Sequence, residues 1–243
     1  MHLKSAYFLL IGSLFICFFC SCSIKQEAVL NPDGSGSAEF RFEVKEFFID
    51  SLMEMASFGD EEELFENGNF FNVEKTKQSF LEKPSVKLLA LESPAPNILE
   101  GSFTFQDVEK VFQEEAELLE AGILTFTRMN GKNILHLHLD KQNFRQVTSF
   151  SEALDNPLFE MFGPQENDAT SKQDYYEMIE FAFGEEGAEG LKVSTVDLEI
   201  TVTGELISQR GGKKIDENTV LFSIPLIDIL LLNNTLDYTI EFK

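Results

Sequence analysis

The sequence has no tryptophan, three cysteines and three histidines among its 243 residues. Cys17, Cys20 and Cys22 all lie at the end of an N-terminal apolar run. A chain cleaved before Cys22 keeps one thiol, which excludes an internal disulfide even in an oxidising compartment. Small exported domains often need such staples. The remaining chain is long enough to do without them, burying roughly 70% of its unfolded surface as one domain. Basic residues are also scarce, with 19 Lys and Arg against 42 Asp and Glu and a net charge of −23. That balance excludes nucleic-acid binding, which needs a basic footprint. It also disfavours electrostatic docking on anionic lipid headgroups, so contact with a membrane has to come from a lipid or from apolar surface.

The motifs of catalysis are missing as well. There is no Gly-x-Ser-x-Gly elbow, and no free thiol once Cys22 is acylated. Gly211-Gly212-Lys213-Lys214 lacks the spacing of a phosphate loop. In so acidic a chain any two carboxylates can be paired on paper, so glycosidase chemistry has no support. No enzymatic activity, catalytic residue, metal ligand or cofactor is expected.

What is present is legible first at the N-terminus. Lys4 precedes an apolar stretch from Ala6 to about Phe19, and the small residue Ser21 stands before Cys22. This is the layout of an export signal, and of a lipoprotein signal in particular. Processing of such signals requires a small residue ahead of the acylated cysteine. Cys20 follows Phe19 and Cys17 follows Ile16, both too bulky, which leaves Cys22. Phe19-Cys20-Ser21-Cys22 resembles the relaxed lipobox of spirochaete lipoproteins, with Phe where Leu is commonest. Residues 1–21 are thus expected to be the signal peptide, and 22–243 one lipid-anchored domain in a bacterial cell envelope. The alternatives are an ordinary secretory signal cut after Ser23 and an uncleaved anchor, for which the run is shorter than the ~20 residues that span a bilayer comfortably. Two acyl chains, at about 0.8 kcal/mol per buried CH2, hold a protein firmly on a membrane.

Beyond Cys22 the pattern predicts α+β. Val29 and Leu30 open a strand after a link of six or seven residues, too short to carry the domain more than about 20 Å from its anchor. A turn at 32–36 leads to alternating Ala38, Phe40, Phe42 and Val44. Helices are expected over 46–56, 73–81, 108–120, 144–153 and from Ser171–Asp174, a capping box, to Gly184. In the third of these the buried stripe reads Val108, Val111, Phe112 and Leu119. Strands are expected at 86–91, 98–105, 123–129, 134–139, 196–202, 220–224 and 236–242, with Asn130-Gly131 as a hairpin turn. The arrangement reads as one domain, a mostly antiparallel sheet packed by several helices.

Three features invite a functional reading. His136, His138 and Asp140 share a strand face, but two histidines without a partner motif read as a solvated face rather than a metal site. The acidic clusters at 60–63, 114–117 and 185–189 lack a calcium loop's spacing. The apolar segments carry more. Tyr175, Tyr176, Ile179 and Phe183 belong to a helix that is apolar around most of its circumference. Leu158, Phe159, Met161 and Phe162 crowd a loop between two prolines, and Phe48, Leu52 and Met55 form a helical stripe. Folding back into the core accounts for these residues. Lining a site for an apolar or lipid-like ligand is the functional alternative. Leu226–Leu232 is very apolar but too short to span a bilayer.

The two ends of the chain resemble a family. An acylated cysteine, the turn Asp33-Gly34-Ser35-Gly36 and the strand Ala38–Val44 look like the start of LppM-type bacterial lipoproteins. The strand Val196–Val202, the bend Gly204-Glu205-Leu206-Ile207, Gly211-Gly212 and Asn218–Phe222 are similar to their C-terminal part. Thr203 stands where Pro is usual and Phe222 where Trp is common. The resemblance implies an α+β domain similar to lipid-binding folds, with no catalytic residues to carry over. The expected role is binding of a lipid-like ligand at the membrane surface. The alternative is an envelope protein whose apolar patches meet a protein partner.

Overall fold

Alternation of apolar and polar residues builds two sheets in the computed structural model, which describes residues 22–56, 70–114, 119–150, 162–164 and 170–243. The larger sheet has seven strands in the order β3-β4-β2-β1-β7-β10-β9. These are β1 (Cys22–Leu30), β2 (Gly36–Val44), β3 (Val86–Ala95), β4 (Ile98–Phe105), β7 (Thr195–Val202), β9 (Lys213–Lys214) and β10 (Thr219–Pro225). The smaller sheet runs β5-β6-β11-β8, from β5 (Leu124–Met129), β6 (Lys132–Leu139), β8 (Leu206–Arg210) and β11 (Leu236–Phe242). Every neighbouring pair is antiparallel except β1 and β7, which run parallel and lay residues 24–30 beside 196–202. The described helices are α1 (Glu46–Ala56), α2 (Val73–Leu81), α3 (Val108–Glu114), α4 (Lys141–Phe150), α5 (Lys172–Val193) and α6 (Leu226–Leu231). The molecule is a mixed α+β domain, as the pattern predicted.

The inner face of the large sheet repeats one register across its strands. Ile24 pairs with Phe42 and Val196, and Phe42 in turn with Leu99. Phenylalanine fills the space that other cores give to tryptophan. Phe40, Phe103 and Phe80 of α2 meet at ring separations of 5.6–6.4 Å, and each aromatic pair adds about 0.5–1.5 kcal/mol beyond its buried area. Gly101, opposite Phe40 in register, makes room for that ring, since a Cβ there would lie 2.7 Å from Phe40 Cζ.

The two sheets are tied at the turn between β1 and β2. Arg128 donates to the Asp33 carbonyl at 2.9 Å and to Asp107 Oδ1 at 2.8 Å, and Asn133 donates to the Pro32 carbonyl at 2.9 Å. Glu205 and Lys243 exchange main-chain bonds at 2.7 and 3.0 Å, which fixes the end of β11 beside the bend after β7.

Several expectations are corrected. No link separates Cys22 from the fold, because β1 begins at Cys22 itself, paired with Val44. Ile24, 2% exposed, holds that end of the strand in the core. β3 continues through Pro94 to Ala95, which an edge strand with irregular pairing tolerates. Leu119 is 37% exposed and does not join Val108 in the core. α4 starts at Lys141 rather than near 144, because Asp140 Oδ1 caps it by accepting from the Gln142 and Asn143 N–H groups. α5 does not stop at Gly184. It kinks there (φ 75°, ψ 179°) and resumes to Val193, as Gly187, Ala188 and Leu191 pack against the body. Residues 226–231 form the short buried helix α6. No described helix is long and apolar enough to cross a membrane.

Candidate functional site: an apolar cleft between the sheets

Of the predicted lining residues, Phe48, Phe162, Tyr175, Ile179 and Phe183 gather into one cluster that belongs to the core. Phe183 packs on Phe48 at 5.5 Å and on Phe162 at 5.4 Å between ring centres. Tyr175 is fully buried and donates from its hydroxyl to the Phe162 carbonyl at 2.6 Å. Burial drives its pKa far above the ordinary tyrosine range. Ile179 is buried beside them, while Tyr176 is half-buried with Lys192 Nζ 5.5 Å from its ring centre. Leu158, Phe159 and Met161 lie outside the described residues, as do the side chains of Cys22, Leu52 and Met55 and the whole of the signal segment 1–21. Phe162, the one described large apolar residue of that predicted loop, is 4% exposed and belongs to the core.

The outer side of α5 is exposed, and the large apolar residues on it are Phe181, 94% exposed, and Val193, 69% exposed. The helix therefore has one buried stripe rather than an apolar circumference.

Apolar surface that stays accessible lies between the two sheets. On the large sheet, Leu198 pairs with Gln26 and Phe222, and Ile200 with Ala28 and Val220. These strands are central, and burial at their ends is complete: Val196 is 4% exposed and Val202 1%. Yet Gln26, Ala28, Leu198 and Ile200 between them are only half-buried. Facing Leu198, Ile200 and Phe222 from the small sheet are Leu124, Leu135, Leu137, Tyr238 and Ile240, around a cavity of about 50 Å³. Phe222 and Tyr238 meet edge to face at 5.2 Å and close one side. The Gly211-Gly212 turn is seated on this pair. A Cβ on Gly211 would fall 2.3 Å from Tyr238 Cδ1, and one on Gly212 2.5 Å from Phe222 Cδ1. Burial also raises the Tyr238 pKa.

None of this cleft was foreseen, apart from the apolar alternation of β6 and β7. Its two walls come from strands far apart in sequence, and only their register brings Leu137 toward Leu198. A whole small-molecule ligand needs roughly 300–1,000 Å³. The cleft is several times smaller than that.

Two polar surfaces lie elsewhere on the sheets. The outer face of the large sheet holds a basin of about 400 Å³ lined by Lys25, Glu27, Glu39, Arg41, Glu92 and Glu100 among others. Lys25 pairs with Glu27, and Arg41 with Glu100 at 2.5 Å, so this face is ionic and unsuited to an apolar ligand. On the small sheet, His136 and His138 do share a face. Asp140, their expected companion, has one carboxylate oxygen committed to capping α4, and the cap holds its carboxyl below the usual range. Asp237 of β11 stands between the histidines instead, its own carboxyl held low by Arg210.

No protein-family model matches the sequence, and no curated protein matches it. Among solved structures, the chain is similar to the NMR structure of the folded domain of the Mycobacterium tuberculosis LppM protein. That likeness has 12% sequence identity and a TM-score of 0.43, covering 92% of this chain and 90% of the other.

Proposed function

We propose that this protein is a cell-envelope lipoprotein, anchored through Cys22, that accepts an apolar or lipid-like chain between its two sheets. The carrying observation is the row of half-buried residues at the centre of the large sheet. Leu198 and Ile200 occupy positions that a closed core would cover, and they face a wall of Leu137 and Tyr238. Gln26, in register with Leu198, supplies one polar group on the same row, the combination of mostly apolar lining and a few polar groups that ligand sites use. The role is binding, without catalysis.

Native mass spectrometry of protein beginning at Ser23, produced in a lipid-containing host, tests this reading. The expected result is a bound lipid mass, lost in Ile200→Glu and Leu137→Glu. Absence of bound lipid together with no uptake from vesicles overturns it. A second reading, a protein partner, is favoured by the exposed ring of Phe181. A stable crosslink from that position to another envelope protein, abolished in Phe181→Ser, supports it over the first.

A further inference from the structure

The exposed face of the small sheet carries an arrangement that the cleft does not use. His136 and His138 stand two residues apart on β6, where alternation puts both rings on one side. β11 runs beside them with Asp237 opposite His138. The Asp237 carboxylate reaches both rings, with Oδ1 3.0 Å from His136 Nε2 and Oδ2 3.5 Å from His138 Nδ1. One donor atom from each of the three residues lies within 4.8 Å of the other two. Zinc–nitrogen and zinc–oxygen bonds of about 2.0–2.2 Å in tetrahedral geometry separate ligand atoms by roughly 3.4 Å. Closing their separations by up to about 1.4 Å brings the three donors to that spacing.

The surroundings select the nitrogen that such an ion needs. His138 Nε2 is 3.3 Å from Asp140 Oδ2, and Asp140 is itself held by two α4 N–H groups at 2.8 and 2.9 Å. A proton on Nε2, donated to Asp140, leaves the Nδ1 lone pair facing Asp237. Carboxylate–histidine–metal relays orient ligands in this way. Arg210 pairs with Asp237 Oδ1 and leaves Oδ2 available. Each histidine side chain is 34% exposed, so the outer side of the site is open to solvent.

We infer that His136, His138 and Asp237 form a binding site for a zinc-type divalent ion, with three protein ligands and one outward position for water or a further ligand. Imidazole nitrogen with a single carboxylate oxygen suits zinc rather than calcium or magnesium.

Titration of the chelator-stripped full-length protein with Zn²⁺, in detergent and followed by calorimetry, tests the assignment. The expected outcome is one ion per chain. His136→Ala and Asp237→Asn each weaken binding more than tenfold, and Asp140→Asn weakens it about tenfold through the orientation of His138. His136→Gln replaces the alanine variant if circular dichroism shows that the latter is unfolded. Cobalt substitution should give the intense visible absorption of a four-coordinate site. No saturable one-to-one binding by the wild type overturns the inference, and so does binding retained in folded His136→Gln/Asp237→Asn protein.

Discussion

Tyr175 shows how far a single residue can be read in both directions. Its place near the start of an apolar helix marked it for a greasy environment, and the structure buries it completely. Its hydroxyl donates to the Phe162 carbonyl, a bond between residues 13 apart that holds Phe162 against α5. Tyr175→Phe keeps the ring but removes this buried hydrogen bond, at a cost of about 0.5–1.5 kcal/mol. Equilibrium urea unfolding should show that loss. The pH dependence follows from the upward pKa shift caused by burial. The unfolded chain releases this proton near the ordinary tyrosine pKa of about 10, whereas the folded chain retains it. Above that pH the folded state binds more protons, so stability falls as pH rises. Unfolding at neutral pH and above about pH 10 should show a steeper decline in wild type than in Tyr175→Phe. Equal slopes would place Tyr175 in contact with water.

At the scale of elements, local rules carried most of the reading, and they failed where a tertiary contact overrode them. α1, α2 and the hairpin at Asn130-Gly131, with φ of 55° and 74°, follow directly from stripe, cap and turn chemistry. Gly184 read as a stop because glycine commonly ends helices. The chain does leave helical geometry there, but the burial of Leu191 and Ala188 brings it back for nine more residues. α6 was unreadable as a helix because a hexapeptide that is apolar everywhere but Asp228 is too short to show a period. The short strands β8 and β9 lack the alternation that marks β7. Gly184 offers a clean test, since nothing lies within 4 Å of a Cβ built on it. Any effect of Gly184→Ala therefore comes from the backbone. The dihedrals are ones that essentially only glycine adopts, so the substitution should cost about 1–3 kcal/mol in thermal or chemical unfolding. A neutral result would mean that α5 can straighten without loss of packing.

Across the whole molecule, the feature that sequence could not supply is register between distant segments. The pairing of β1 with β7 joins residues more than 170 positions apart, for example Ile24 with Val196. The same kind of pairing puts Asp237 beside His138 and builds the cleft. This arrangement bears on the proposed anchor. Cys22 is the first residue of β1, at the end of the sheet from which α1 and α6 depart, while the small sheet is tied to the opposite end. Along β1, Gln26 and Ala28 stand four to six residues from Cys22, about 13–20 Å at 3.3 Å per residue. An acyl-sized chain bridges that distance. Under the proposed function, an anchor at Cys22 would set the cleft about one chain length above the membrane, because β1 begins at that residue. Cys22→Ala should abolish metabolic acyl labelling and move the protein out of the membrane fraction, whereas Cys20→Ala should leave both unchanged. Because Cys22 pairs with Val44 through main-chain groups, the melting temperature of the folded domain should be the same in both variants. Loss of labelling in Cys20→Ala instead would put the anchor two residues outside the sheet, and the fixed height with it would be lost.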